Sequence, residues 1–247
     1  MLATSSTTEP MAFNQAAHRY ARSSAPAERT AQNPIQNPLQ TKAPLSGAPA
    51  PALTLHENQQ LFLEGDRAER YYQVLHGLIR TVRLLADGRR QVMDFFGPGE
   101  VFALSGDTHY AYDAEAVTDS AVAGHSLQRL GSRVDSDPAL ARKVLGALSR
   151  ELAHSHDRIL LLGRKTARER IASFLLAMAE RQGRHDWVDL PMKRADIADH
   201  LGLTVETVSR VLACLKRSGQ ILLRDANRIE LCDPEGLREI AAGTGAP

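Results

Sequence analysis

RADIADHLGLTVETVSRVLACLKRSGQI, residues 194–221, is the stretch whose reading decides the fold. Its apolar spacing predicts two short helices joined by a tight turn. Ala195, Ile197, Ala198 and Leu201 form a stripe on the first helix. Gly202 supplies the left-handed backbone position of a sharp turn. Thr204 stands where an N-cap hydroxyl is wanted. In the second helix Val208, Val211, Leu212 and Leu215 point inward, while Glu206, Ser209 and Arg210 fall on the opposite face near the N-terminus. A helix-turn-helix presents just that part of its second helix to base edges in the major groove. The residue types suit base reading, since arginine is bidentate to guanine, glutamate accepts from the cytosine amino group, and small side chains touch thymine methyls. Glu206 and Arg210 are also four apart, the spacing of a solvated ion pair on an ordinary helix. The glycine turn, the threonine cap and the preceding helix favour DNA reading over that alternative.

The segment LGLTVETVSR, residues 201–210, resembles the recognition region of the CRP/FNR superfamily of bacterial transcription regulators, on its FNR and FixK branch. There E-x-x-S-R is the DNA-reading element, so the resemblance assigns base reading to Glu206, Ser209 and Arg210, with Val205 also matching the branch. It extends over about residues 53–243. It implies a homodimer on double-stranded DNA at a palindrome close to TTGAT-N4-ATCAA. It further implies contact with RNA polymerase, and an activator's role in oxygen-limited or nitrogen-oxide metabolism.

Composition agrees with this reading. The net charge of +1 argues against a broadly basic, nonspecific nucleic-acid coat. Between Arg164 and Arg217, however, eleven Lys/Arg face seven Asp/Glu, a local excess of four. No apolar run is long enough to span a membrane, and the N-terminus has neither the charged start nor the apolar core of a signal peptide. A cytoplasmic protein is expected. There is no nucleophile–base grouping, carboxylate pair or phosphate loop, so an enzyme is not.

Four parts are expected, in an α+β chain. Residues 1–52 hold seven of the twelve prolines without periodicity and read as a disordered or loosely ordered extension. Residues 53–135 show short apolar runs (Leu61–Leu63, Tyr71–Leu75, Ile79–Leu85, Gln91–Phe96) punctuated by turn signals, the pattern of a β-barrel or jelly roll. Asp87-Gly88 marks a hairpin. Within the resemblance this is the cyclic-nucleotide-binding-like β-roll. Residues 136–163 read as one long helix, capped by Asp137 with Pro138 in its first turn. Ala141, Leu145, Leu148, Leu152, Ser155, Ile159 and Leu162 recur at alternating spacings of four and three, a seam for a parallel two-stranded coiled coil. An amphipathic helix packed on its own domain shows a similar stripe, and the palindrome favours dimerisation. Residues 164–247 read as a winged helix-turn-helix, with an amphipathic helix bearing Ile171, Phe174, Leu175 and Met178, a strand at Trp187–Leu190, and a hairpin around Asp225–Asn227. Arg194, Thr204 and Lys216 are candidate phosphate contacts, which set orientation and salt dependence. Lys193 stands where a small hydroxyl cap would be natural.

No cofactor is expected. Gly99-Glu100 matches the start of a cyclic-nucleotide cassette. Residues 109–117, HYAYDAEAV, supply Asp113 and Glu115 but no cation for a phosphate. Arg89 and Arg90 lie in the hairpin turn, where solvation is expected. An iron–sulfur cluster of the FNR kind requires four thiolates, and the chain has only Cys214 and Cys232. Cys214, on the recognition helix, is an inert thiol or a redox brake on docking. The nine histidines are scattered without metal-ligand spacing. A haem- or small-molecule-operated β-roll is the alternative function.

Overall fold

The computed structural model describes residues 45, 50–225 and 227–244. The extension read over 1–52 lies outside them apart from Leu45 and residues 50–52. Two four-stranded antiparallel sheets form the N-terminal half. One runs β1 (Ala52–Leu55), β8 (Ser120–Ser126), β3 (Arg70–His76), β6 (Val101–Phe102), and the other β2 (Gln60–Phe62), β7 (Asp113–Ala116), β4 (Ile79–Leu84), β5 (Arg90–Phe96). Side chains of both sheets share one core of Leu55, Phe62, Tyr72, Val74, Ile79, Phe96, Phe102 and Val122. This is the expected β-roll. The four apolar runs named above became β2 to β5, and the Asp87-Gly88 hairpin joins β4 to β5, with Gly88 at φ 83° and Leu85 N–H donating to the Arg89 carbonyl at 2.8 Å.

A helix that the sequence reading missed, α1 (Leu127–Ser136), closes the roll, its N-terminus capped by Ser126. The long helix α2 (Pro138–Arg164) follows, with the Asp137 carboxylate accepting from Ala139 and Leu140 N–H at 2.9 and 3.1 Å. Its N-terminal half leans on the β-roll: Leu140 and Ala147 are buried with Leu45, Tyr71, Val101 and Leu130. Leu161 is buried in the C-terminal core. Between these anchors Leu145, Leu148, Leu152 and Ile159 stand exposed, Leu145 and Ile159 by 65% and 67%. Leu162 departs from the expected seam. It packs inward against the C-terminal core, and Leu160 is exposed instead. The cause is the anchoring of the last turn of α2, described below.

The C-terminal part contains α3 (Ala167–Arg181), β9 (Trp187–Asp189), α4 (Arg194–Leu201), α5 (Val205–Arg217), β10 (Ile221–Leu223), β11 (Arg228–Leu231) and α6 (Pro234–Ala242). The three strands pair in the order β10, β11, β9, which makes the wing. Thr166 and Glu169 form a reciprocal capping box at the start of α3. Its buried face, Ile171, Phe174, Leu175 and Met178, is the one the sequence predicts. This core does not stop at a domain border. Leu78, Val82, Val92, Phe95 and Val117 of the β-roll join it, so the winged domain is packed against β4 and β5 rather than hung from α2 alone.

Candidate DNA interface

The helix pair forms as its local chemistry dictates. Gly202 sits at φ 61°, ψ 43°, and the following Leu203 N–H returns to the Ala198 carbonyl at 3.0 Å, closing α4. The Thr204 hydroxyl accepts from Thr207 N–H at 3.2 Å and starts α5; such a cap is worth about 1 kcal/mol. Val208, Leu212 and Leu215 are buried, each contributing roughly 1.5–3 kcal/mol of burial.

A residue that sequence reasoning missed holds the turn in place. The Arg170 guanidinium, from α3, donates to the carbonyls of Leu201 (2.8 Å), Leu162 (2.8 Å) and Lys165 (2.9 Å). It thereby ties the C-terminal ends of α2 and α4 together, where a cation also meets the negative ends of both helix dipoles. This is what turns Leu162 inward: its own carbonyl is held, and its side chain lies beside Gly202. An arginine in an amphipathic helix gives no sequence signal of such a role.

On the far side of α5, Val205, Glu206, Ser209 and Arg210 are all exposed around its first turns. No ion pair joins Glu206 to Arg210 among the described residues, so the solvated-pair alternative is not what the helix adopts. The backbone N–H of Glu206 and the Thr204 hydroxyl hold the Glu206 carboxyl below the usual carboxylate range, so it presents an acceptor. Of the candidate phosphate contacts, Lys216 is exposed and Arg194 half-buried in the first turn of α4. Thr204 is exposed and engaged as the cap. Lys193 pairs with Glu57 at 3.2 Å, and its N–H is covered by the Asp196 carboxylate at 3.2 Å. Cys214 lies half-buried one turn beyond Arg210, and Cys232 is exposed after β11.

The first helix differs from expectation. Ala195 is exposed, while Asp196 and His200 are buried alongside Ile197, Ala198 and Leu201. The reason is that α4 is covered on two sides, by α5 and by β5. His200 lies between the rings of Phe95 and Phe174 at 5.4 and 5.6 Å, with Nδ1 3.2 Å from the Val92 carbonyl. Burial, helped by Arg158, pushes its pKa down to about 4, so the ring is neutral. Arg90, expected in solvent, instead reaches Asp196 at 2.5 Å and Asp199 at 3.0 Å; only Arg89 behaves as a turn residue, pairing with Asp87 at 2.7 Å.

Glu100, the residue of the cassette match, is engaged by the C-terminal half. It is turned out of the β-roll toward α3, where Arg181 donates to both its oxygens at 3.1 and 2.6 Å and to Asp94 at 3.0 Å. Within residues 109–117 side chains engage their neighbours. The Tyr110 ring stacks on Phe62 at 3.7 Å inside the roll, and Glu115 is engaged by Arg80 at 2.9 Å.

A β-roll, a long helix with an exposed apolar seam, and a winged helix-turn-helix with a polar face on its second helix define the class: a transcription regulator with a DNA-binding helix-turn-helix. The comparisons agree. Residues 169–240 match the Crp-like helix-turn-helix domain and residues 52–136 the cyclic nucleotide-binding domain. The nitrogen fixation regulation protein FixK of Rhizobium meliloti is 40% identical over 198 residues, covering 80% of this chain and 90% of its own. The transcriptional activator protein FnrA of Stutzerimonas stutzeri is 34% identical over 195 residues, covering 76% of this chain and 80% of its own. The structure of FixK2 from Bradyrhizobium japonicum aligns with a TM-score of 0.75 at 38% identity, over 80% of this chain and 98% of that one. The chain belongs to the CRP/FNR family of transcription regulators, on its FNR/FixK branch, and its relatives are regulators rather than enzymes.

Proposed function

We propose that the protein is a homodimeric, cytoplasmic activator of the FixK kind. It reads a TTGAT-N4-ATCAA-like palindrome without a bound effector and recruits RNA polymerase to promoters of oxygen-limited or nitrogen-oxide metabolism. The observation that carries this reading is the exposed quartet Val205, Glu206, Ser209 and Arg210 on the N-terminal turns of α5. Arg210 would make the bidentate guanine contact, Glu206 would accept from a cytosine amino group, and Val205 and Ser209 would pack against neighbouring bases. Arg194, Thr204 and Lys216 would meet phosphates and carry the salt dependence.

Dimerisation is supported by the exposed seam of Leu145, Leu148, Leu152 and Ile159, since side chains of this size rarely stand together in water without a partner. A palindrome requires two reading heads a fixed distance apart, and a parallel pairing of α2 would supply that distance. Leu162 takes no part. The effector-free reading is supported by the interior of the roll, which is filled by its own rings. Phe62, Tyr72, Phe96, Phe102 and Tyr110 stack in one continuous group with centroid separations of 3.7 to 6.5 Å. Localisation in the cytoplasm agrees with the absence, among the described residues, of any helix long and apolar enough to cross a membrane.

The test is fluorescence anisotropy of full-length, aerobically purified protein with the palindromic duplex against a scrambled duplex at matched salt. Selective binding by protein without a Soret band supports the proposal. Equal, weak binding to both duplexes refutes the effector-free reader, and a Soret band refutes the absence of haem.

A further inference from the structure

Between the β4–β5 hairpin and α4 runs a set of ion pairs that joins the β-roll to the helix-turn-helix. Arg80, on β4, donates from Nη1 to both Asp196 oxygens at 3.1 and 3.0 Å, and from Nη2 to Glu115 at 2.9 Å and Asn58 at 3.3 Å. Arg90, on β5, reaches Asp196 at 2.5 Å, Asp199 at 3.0 Å and, more loosely, Glu115 at 3.7 Å. The Arg80 and Asp196 side chains are 5% and 2% exposed. An aspartate at the third position of a helix is satisfied by the backbone alone, and Asp196 already caps Lys193 N–H. Two arginines from another part of the fold are more than capping requires.

What they touch matters. Asp196 and Asp199 lie on α4, whose C-terminal end is fixed to α5 by the Gly202 turn and to α2 by Arg170. Any tilt of α4 on the β-roll is therefore passed to the recognition helix. A buried ion pair adds little net stability over an apolar pair of equal volume, but its directional bonds select one arrangement. A palindrome demands that two recognition helices engage together, and simultaneous engagement is lost if their geometry is not held. Nonspecific binding makes no such demand.

We propose that Arg80 and Arg90 are positioning residues for DNA reading: by gripping Asp196 and Asp199 they hold α4, and with it α5, in the attitude that lets both subunits read the operator at once. This rests on the operator-reading function proposed above. It makes the β-roll a jig for the reading heads, in a fold whose sensor interior is filled.

The outer arm of the grip allows a test without unfolding. Arg90 and Asp199 are each 31% exposed, a pair at such positions contributes little to stability, and the buried Asp196 keeps Arg80 at 3.0 Å when Arg90 is replaced. In the full-length protein, Arg90→Gln is expected to weaken binding to the palindromic duplex about tenfold, a typical coupling between sites. Binding to the scrambled duplex and its salt dependence should stay as in the wild type, with the protein still folded at the assay temperature. Arg90→Lys, which keeps a cation opposite both aspartates, recovers most of the loss. Asp199→Ala removes the Arg90–Asp199 arm from the α4 side and is expected to weaken operator binding in the same direction, so the test stands even if one variant folds poorly. An Arg90→Gln protein that retains wild-type operator affinity overturns the proposal. So does one that loses both duplexes equally, because that marks a phosphate contact or a damaged fold. A wild-type protein that does not prefer the palindrome overturns the operator reading itself, and the grip with it.

Discussion

Replacing Arg181 by methionine isolates the second place where the winged domain is bound to the β-roll. The arginine leaves the end of α3 with only 5% of its side chain exposed, and bridges Glu100 and Asp94 while also donating to the Phe95 carbonyl. Burial works against the Asp94 carboxylate, but Arg181 and Arg158 outweigh it and hold its pKa down to about 2. That contribution is complete above the unfolded value of 3.8 and is lost only as pH falls toward about 2, so the wild-type pair is constant between neutrality and pH 5. In Arg181→Met, Asp94 keeps Arg158 at 3.2 Å, but Glu100 keeps only the Gly97 N–H at 2.7 Å. Removing one partner of a buried pair costs about 3–5 kcal/mol. For a chain of this size that corresponds to a fall in thermal midpoint of roughly 10 °C at pH 7.5. An uncompensated buried carboxylate is relieved by protonation, so the gap between wild type and variant should narrow as pH drops from about 7.5 to 5. Thermal unfolding followed by circular dichroism across that range is the assay. A fall under about 3 °C, or a gap that does not change with pH, would refute the reasoning.

Three further outcomes are expected. Arg210→Ala should cost about 1–3 kcal/mol in operator discrimination while leaving affinity for scrambled DNA nearly intact; gel-shift competition between the two duplexes measures this. Leu152→Glu places a charge in the exposed seam of α2 and should convert dimer to monomer in sedimentation velocity without unfolding the chain, since Leu152 has no buried role within one subunit. The neutral, buried His200 should make the protein acid-sensitive. The unfolded ring takes its proton near 6.5 and the folded ring only near 4, so stability is intact above about 6.5 and drains away as pH falls toward 4. His200→Phe should flatten that decline in a thermal-shift series.

Much of the architecture is legible in residue order because its causes are local. The long helix α2 with its Asp137 cap, the Asp87-Gly88 hairpin, and the Gly202 turn with its Thr204 cap each depend on residues a few positions apart, and each is found where the pattern puts it. Elements with weak local signals were missed. Strands β7 and β8, DAEA and SAVAGHS, are rich in small and polar residues and owe their pairing to neighbours across the sheet. Helix α1 is short with only Ser126 to mark its start, whereas α6 carries clear signals, Asp233 and Pro234 at its start and Gly243 at its end, and was legible though not read.

By itself, then, the sequence determined the class of the molecule and which side of α5 is buried and which exposed, since that helix takes its inner and outer sides from its own periodicity. Only the tertiary structure decided how that helix is aimed. Arg80 and Asp196 are 116 residues apart and Arg181 and Glu100 81 apart, too far for any local pattern to pair them. Nothing in the sequence marks Asp196 or His200 as buried. What buries them is the approach of β5 to α4. That approach depends on apolar side chains from both halves of the chain sharing one core, which no window of sequence contains.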